Sequence, residues 1–379
     1  MITTAIVTTI AAGLAASGSG ASRTPTIKLG HVGHDHHLAL FVALSQGAGF
    51  KTQTDGVWFR QLKKRQVYDL MNDQVVMARL LVSKVGGGSG MPAALARNEI
   101  EVGLGGVAAT VAAIDKGAAL KIIAPCNCDG DMLMVRPEFP ARTWDEFLEA
   151  VRKRREPVRI GYKAPRAVAY LILMRALAAS GISYGPKAVN AGGKPVQVVL
   201  MNLQKGSNMV PSLQGKVVNG IVMNQPTVAI AEVKGVGRVI ADLRDLPPKG
   251  KWRDHPCCCV VATEKALKEK RAAVEAIVKA VVAGGEFIHR HRDKAIQIAS
   301  SWTKASRQVE ARSVPTVTYV PVPNQDWQKG MLTWFEMMND LNQFTNVLKG
   351  MTPQQMYRRV SDYSLVPNPR KAMGVSSGK

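Results

Sequence analysis

The stretch Gly86–Gly106, GGGSGMPAALARNEIEVGLGG, decides the fold. Its glycines at 86–88 and 90 make a loop. Ser89 is placed to cap a helix, and Pro92 falls in the first helical turn, where its missing N–H costs nothing. Met91–Arg97 then reads as a short helix, Ile100–Leu104 as a strand ending in Gly105–Gly106, and Val107–Ile114 as the next helix. Lys116–Gly117 stops that helix, and Leu120–Ala124 is again a strand. Strands and helices alternating across such short connections predict a parallel sheet with helices on its faces.

Upstream, Thr26–Ala39, TIKLGHVGHDHHLA, supplies a first strand (Thr26–Gly30) and the start of an apolar helix (Leu38–Leu44). The loop between them carries His31, His34, His36 and His37, four of the chain's 7 histidines. Three readings are open. Imidazoles with Asp35 can ligate zinc or iron, although the spacing matches no helical HExxH pattern. One or two of them can contact an anionic ligand, since imidazole donates hydrogen bonds and gains charge with a small pKa shift. The third reading is packing at a surface or hinge. In the predicted sheet, His36 or His37 faces a ligand cleft and His31, nearest the strand, is structural. Val57–Leu62 is a second strand, and Lys63–Lys84 reads as an inserted hairpin that turns apolar at Val75–Val82.

Downstream, the same unit repeats. Strands at Met132–Val135, Val158–Tyr162, Val196–Met201 and Gly220–Met223 alternate with helices opened at Thr143, Pro165, Asn208 and Pro226. Glu146, three residues after Thr143, completes a capping-box pattern. Arg238–Ala241 and Cys257–Ala262 are further strands, and the remainder is mainly helical, with Asp293 and Thr352 as N-caps. Two α/β halves and a helical return predict two lobes, one built from 25–125 plus 237–365 and the other from 132–232. The crossings fall at 126–131 and 233–236, with segments 1–24 and 366–379 outside the lobes. Ligands of open α/β sheets bind beyond the carboxyl ends of the strands, so both lobes offer strand-end loops to a cleft.

Bulk composition narrows the function. A chain of 379 residues exceeds one simple core, and nothing approaches the roughly 20 uninterrupted apolar residues of a membrane span. The formal charge of +22 favours an acidic partner. The basic residues are spread out, with short clusters only at Arg152–Arg155 and Lys268–Arg271, and no nucleic-acid motif accompanies them, so a nucleic-acid partner is not expected. Met1–Ala16 is small and apolar and precedes SGSGAS, a pattern like an export signal that lacks its basic start.

Polar groups for the cleft come from the predicted strand ends and helix starts. Ser89, Gly90, Gly106 and Arg166 lie where free backbone N–H groups and a helix dipole attract anions, and Arg166 adds a guanidinium fork. Asn127 at the first crossing, and Asn224 with Gln225 after a strand, add side-chain amides. Alternation places Cys126 with Cys128 on one face and Cys257 with Cys259 on one face. Buried free thiols, a disulfide across the hinge, and a metal site that adds Cys258, His255 or the loop histidines all remain open, whereas the missing CxxC pair argues against a zinc ribbon.

The pieces LALFVAL, GGGSGMPAALARNEIEVGLGG, KGAALKIIAP, PVRIGYKAP, NGIVMNQPTVAIAE and HPCCCVVAT, in this order, resemble the nitrate/taurine/sulfonate group of ABC-transporter substrate-binding proteins over Thr26 to Trp302. The resemblance implies a type II periplasmic-binding-protein fold, α/β, with two lobes that are each a mostly parallel sheet flanked by helices. It further implies an extracytoplasmic, monomeric protein without a resident cofactor. Such a protein captures a small anionic solute (nitrate-, sulfonate- or carboxylate-like) and delivers it to an ABC permease and ATPase. The fungal thiamine-pyrimidine synthases resemble the same group and carry a cysteine-rich motif with an iron requirement. His255–Cys259, HPCCC, matches that motif in part, so an iron-dependent enzyme using the Cys/His residues is the alternative the resemblance implies.

Overall fold

The computed structural model describes residues 24–87 and 90–367. The export-like segment Met1–Ala16, the cap residue Ser89 and nearly all of the tail lie outside them. Among the described residues, fourteen strands form two sheets. The chain first lays down β1 (Thr26–His31), β2 (Val57–Lys63), β3 (Val67–Asn72), β4 (Val75–Lys84), β5 (Val102–Gly106) and β6 (Leu120–Asp129). It crosses to β7 (Asp131–Val135), β8 (Val158–Tyr162), β9 (Tyr184–Gly185), β10 (Val198–Asn202), β11 (Gly220–Asn224) and β12 (Arg238–Asp242). It returns as β13 (Pro256–Thr263) and β14 (Val317–Tyr319). The sheet orders are β14-β6-β13-β5-β1-β4-β3-β2 and β12-β7-β11-β8-β10-β9.

Three features differ from the sequence expectation. First, β12 pairs antiparallel with β7 at the edge of the second sheet. The return to lobe one therefore comes after Asp242 and does not precede 237. Secondly, the stretch read as an inserted hairpin is part of the sheet: β4 pairs in parallel with β1 from Thr26↔Arg79 to His31↔Lys84. Thirdly, the second sheet is mostly parallel, but in the first only β4-β1-β5 is parallel. Its flanks are antiparallel because β2–β3–β4 is a meander and because β13 re-enters between β5 and β6.

The local signals are otherwise those of the sequence. Thr143 Oγ1 accepts from Glu146 N–H (3.2 Å), while the Glu146 carboxylate reaches back to Arg142 N–H (2.6 Å). Thr352 and Gln355 form a reciprocal capping box. Asp293 lies inside the first turn of its helix, and His291 is the residue before it. The helix Leu38–Gln46 is apolar all round and buries its first seven residues, as a central helix must. The long helix Arg271–Arg290 lies across it so closely that a Cβ on Gly284 would sit 2.0 Å from the Ala39 carbonyl oxygen.

A buried ionic cluster closes the crossing. His255 Nδ1 donates to the Trp252 carbonyl (2.7 Å) and lies 3.1 Å from Asp129, while Nε2 lies 3.2 Å from Asp131. These two carboxylates, placed first by their hydrogen bonds to the ring and then by their charge, overcome the burial that favours neutral imidazole and push the His255 pKa up to about 10. Arg244 reaches Asp129 (3.4 Å), Asp242 (2.8 Å) and the Thr316 carbonyl (2.7 Å). His255→Ala leaves two buried carboxylates short of their cation and is expected to lower the unfolding free energy by about 3–5 kcal/mol. Urea denaturation at neutral pH measures this, and an unchanged midpoint would show that Arg244 suffices.

Candidate functional site

Between the lobes lie two connected chambers. The outer one, about 620 Å³, is lined by Val32, His34, Lys84 and Gly87 from lobe one, by Lys163, Gln204, Lys205 and Asn224 from lobe two, and by Lys304 from the helical return. Its lining holds four lysines and, among the described residues, no carboxylate. The inner chamber is only about 40 Å³. His34, His36, Gly106, Asp131, Lys163, Arg166, Asn224, Cys257 and Cys258 border it. That volume takes an ion with a water molecule but no organic body, since a single water needs about 10–15 Å³ on this measure.

The histidine loop is buried by the helix it leads into. His37 immediately precedes the all-apolar helix, so His36 and His37 are drawn to complete burial while His34 stays at the cleft wall. His31 stands edge-on to Phe41 and Trp302 (5.1 and 5.7 Å between centroids). Burial, then the neighbouring His37 and Lys84, pull its pKa down to about 3. Burial and the other loop histidines also hold His34 well below the usual range. Val32 N–H donates to His37 Nδ1 (3.1 Å), which places the neutral ring's proton on Nε2. His36 Nδ1 faces Asn127 Nδ2 (3.2 Å) and Cys257 Sγ (3.3 Å).

Strand alternation would send Cys257 and Cys258 to opposite faces. The register of β13 against β6 instead shifts on both sides of Cys258, and this irregularity re-aims the chain so that both thiols border the inner chamber. The expected pairing of Cys257 with Cys259 is thereby overturned, and Cys259 lies against the Gly105 carbonyl (3.6 Å). Two sets of donor atoms lie within 4.8 Å of one another, His36/Cys257/Cys258 and His34/His37/Cys258. Cys126 and Cys128 are buried in the neighbouring strand and join neither set, and all five thiols are unpaired. Cys257, with the imidazoles of His36 and His37 close by, draws the Cys258 thiol well below the ordinary thiol range, while Cys257 is pushed above it.

The remaining candidates divide. Arg166 and Asn224 border the inner chamber as expected, and Lys163 donates to Asn224 Oδ1. Gln225 does not: its Oε1 accepts from Ala229 N–H (3.0 Å) and caps a helix. Asn127 is buried behind the loop, donating to the carbonyls of Cys128 and Asp129. Gly90 opens its helix, but Gly87 is the residue at the cavity. Lys84, Lys163, Lys205 and Lys304 were missed. Only Lys163 had a signal, its position at the end of a predicted strand.

A model of the NMT1-like family matches residues 20–304. The chain belongs to the NMT1-like family. Solved structures share its two-lobe architecture at low identity. The periplasmic nitrate-binding protein NrtA from Synechocystis PCC 6803 superposes with a TM-score of 0.68 at 14% identity, covering 93% of this chain and 90% of that one. The ligand-binding component of an ABC-type import system from Staphylococcus aureus, with zinc bound, gives 0.66 at 17%, covering 89% and 99%. The alkanesulfonate-binding protein SsuA from Xanthomonas axonopodis pv. citri, bound to MOPS, gives 0.60 at 14%, covering 86% and 96%. The fold of this NMT1-like chain is thus that of the periplasmic binding proteins. An uncharacterized protein of Methanocaldococcus jannaschii is 28% identical over 119 residues, 31% of this chain and 81% of that protein.

Behind the loop, Ser313 donates to Asp35 and Tyr319 Oη donates to the Asp35 carbonyl. Glu310, fully buried beside this acid, accepts from Thr303 Oγ1. Burial first, then the Asp35 carboxyl, pushes the Glu310 pKa up to about 8. Below its ordinary value of 4.5 both folded and unfolded chains hold the proton. As pH rises from there towards 8, the unfolded chain ionises first and the folded state loses stability. Glu310→Gln removes that loss. Its melting temperature should exceed the parent's at pH 8 and match it near pH 4, and an equal gain at both pH values would sink the assignment.

Proposed function

We propose that this protein is an extracytoplasmic solute-binding protein that closes two lobes on a small anion and presents it to an ABC permease and its ATPase. The observation that carries the reading is the outer chamber: four lysines converge from both lobes and the helical return without an opposing carboxylate. Such a cleft concentrates anions and steers their entry. A ligand that touches Lys84 or His34 on one side and Lys163, Arg166 or Asn224 on the other stabilises the closed arrangement by bridging it. The nitrate- and alkanesulfonate-binding proteins of the same architecture support an oxyanion as the solute class. Among the described residues no helix is long and apolar enough to cross a membrane, which suits a diffusible carrier.

Calorimetry with nitrate, sulfate, methanesulfonate and succinate tests this. At least one anion is expected to bind with an affinity that falls as salt rises. Lys163→Ala removes a charged hydrogen-bond donor shared by both chambers and should weaken that anion by about 1.5–3 kcal/mol, roughly 10- to 150-fold. Lys329→Ala, which lines neither chamber, should leave it unchanged. Binding that ignores Lys163, or no response across the panel, would refute the reading.

A further inference from the structure

We propose that His36, Cys257 and Cys258 hold a soft or borderline divalent transition-metal ion on the floor of the cleft, with one coordination position open towards Lys163 and Arg166. The three donor atoms already lie within 4.8 Å of one another. They are an imidazole and two thiols, the ligand set that selects zinc, iron or cobalt over magnesium or calcium. The His36 Nδ1 face turned to Cys257 is the face a metal would share with that sulfur. Asn127, held by the Cys128 and Asp129 carbonyls, donates to that same Nδ1 (3.2 Å), so an incoming ion takes over the lone pair that the amide engages.

The second set, His34/His37/Cys258, is a poorer one. The Val32 N–H occupies His37 Nδ1 and leaves the proton on Nε2, so His37 is committed to donating. Among the described residues, the buried His36 Nε2, His37 Nε2 and His34 Nδ1 have no hydrogen-bond partner, which leaves the ring nitrogens of the loop short of polar neighbours. Three protein ligands leave a tetrahedral ion one position to fill, and the 40 Å³ chamber in front of the thiols has room for an ion and one small ligand. That open position extends the anionic-solute reading and rests on it, because it lets the solute's oxygen ligate the metal while its body lies in the outer chamber. The three-ligand metal site itself is independent of that reading.

The test uses the full chain, stripped with a chelator and kept reduced under anaerobic conditions. Cobalt(II) titration is expected to give thiolate-to-cobalt charge-transfer absorption that saturates at one equivalent and is reversed by zinc. Cys257→Ser and Cys258→Ser should each abolish or strongly diminish it, and His36→Gln should weaken cobalt binding at least tenfold. Cys126→Ser and Cys128→Ser should leave it intact. Circular dichroism checks that each variant folds. Azide added to the cobalt form should then shift the visible bands, as it does only where a coordination position is free. Absence of charge-transfer absorption, or absorption that survives in the folded Cys257→Ser/Cys258→Ser double variant, overturns the metal site. Saturation without an azide shift overturns the open position. Neither failure touches anion binding by the metal-free protein, which the calorimetry above decides separately.

Discussion

The close approach of Gly130 to the histidine loop governs the arrangement of the cleft. The chain leaves the first sheet at Asp129 and enters the second at Asp131, so Gly130 alone makes the crossing. Its φ of +82° is a conformation that residues with a Cβ rarely adopt, and a Cβ there would lie 2.8 Å from both His36 Nε2 and Val317. The crossing is therefore pressed directly against the loop that carries the candidate ligands. Gly130 also offers its carbonyl to Gln225 N–H (3.0 Å), the residue after β11, so the wall of lobe two is registered on the same point.

Charge is distributed around that point in a way that leaves the cleft positive. Asp129 and Asp131 stand at the crossing, where two free carboxylates would repel an anion. His255 and Arg244 bind them from behind, and the carboxylates are spent on the protein's own cations. Asp35 and Glu310 are likewise drawn into the helical return by Ser313 and Thr303. What lines the outer chamber is then lysine, amide and imidazole, and the inner chamber adds Arg166 and two thiols beside the paired Asp131. The chain's net charge of +22 is diffuse in the sequence. In the fold, part of it becomes local because acids near the cleft are paired inward and bases are not.

The two-lobe α/β architecture was legible because it rests on period, caps and glycine turns, all of which are local. The limits of lobe two were less so, since whether Arg238–Asp242 joins one sheet or the other depends on a partner strand a hundred residues away. Loop histidines, Arg166 and Asn224 could be placed at strand ends by the same local rules. The four lysines could not, as only the closing of two lobes makes neighbours of Lys84, Lys205 and Lys304. Cys257 was expected to share a face with Cys259, and the structure departs from that for a particular reason. Alternation holds only while the ladder is regular, and the shift beside Cys258 is set by β13 fitting between β5 and a long β6.

The size difference between the two chambers assigns them separate tasks. About 40 Å³ suits an ion with water or one small ligand, whereas about 620 Å³ lies within the range of small-ligand sites. On the proposed reading an organic anion would lie in the outer chamber and bring its charged head to the threshold. The residues at that threshold are those common to both chambers, Val32, His34 and Gly87 from lobe one and Lys163 and Asn224 from lobe two. On the proposed reading each lobe would contribute polar groups to the same atoms of the solute, and an open form could satisfy only one set. Because a ligand shifts a conformational equilibrium only by its differential affinity for the two states, the threshold, more than the spacious outer chamber, is where the proposed closure would draw its free energy.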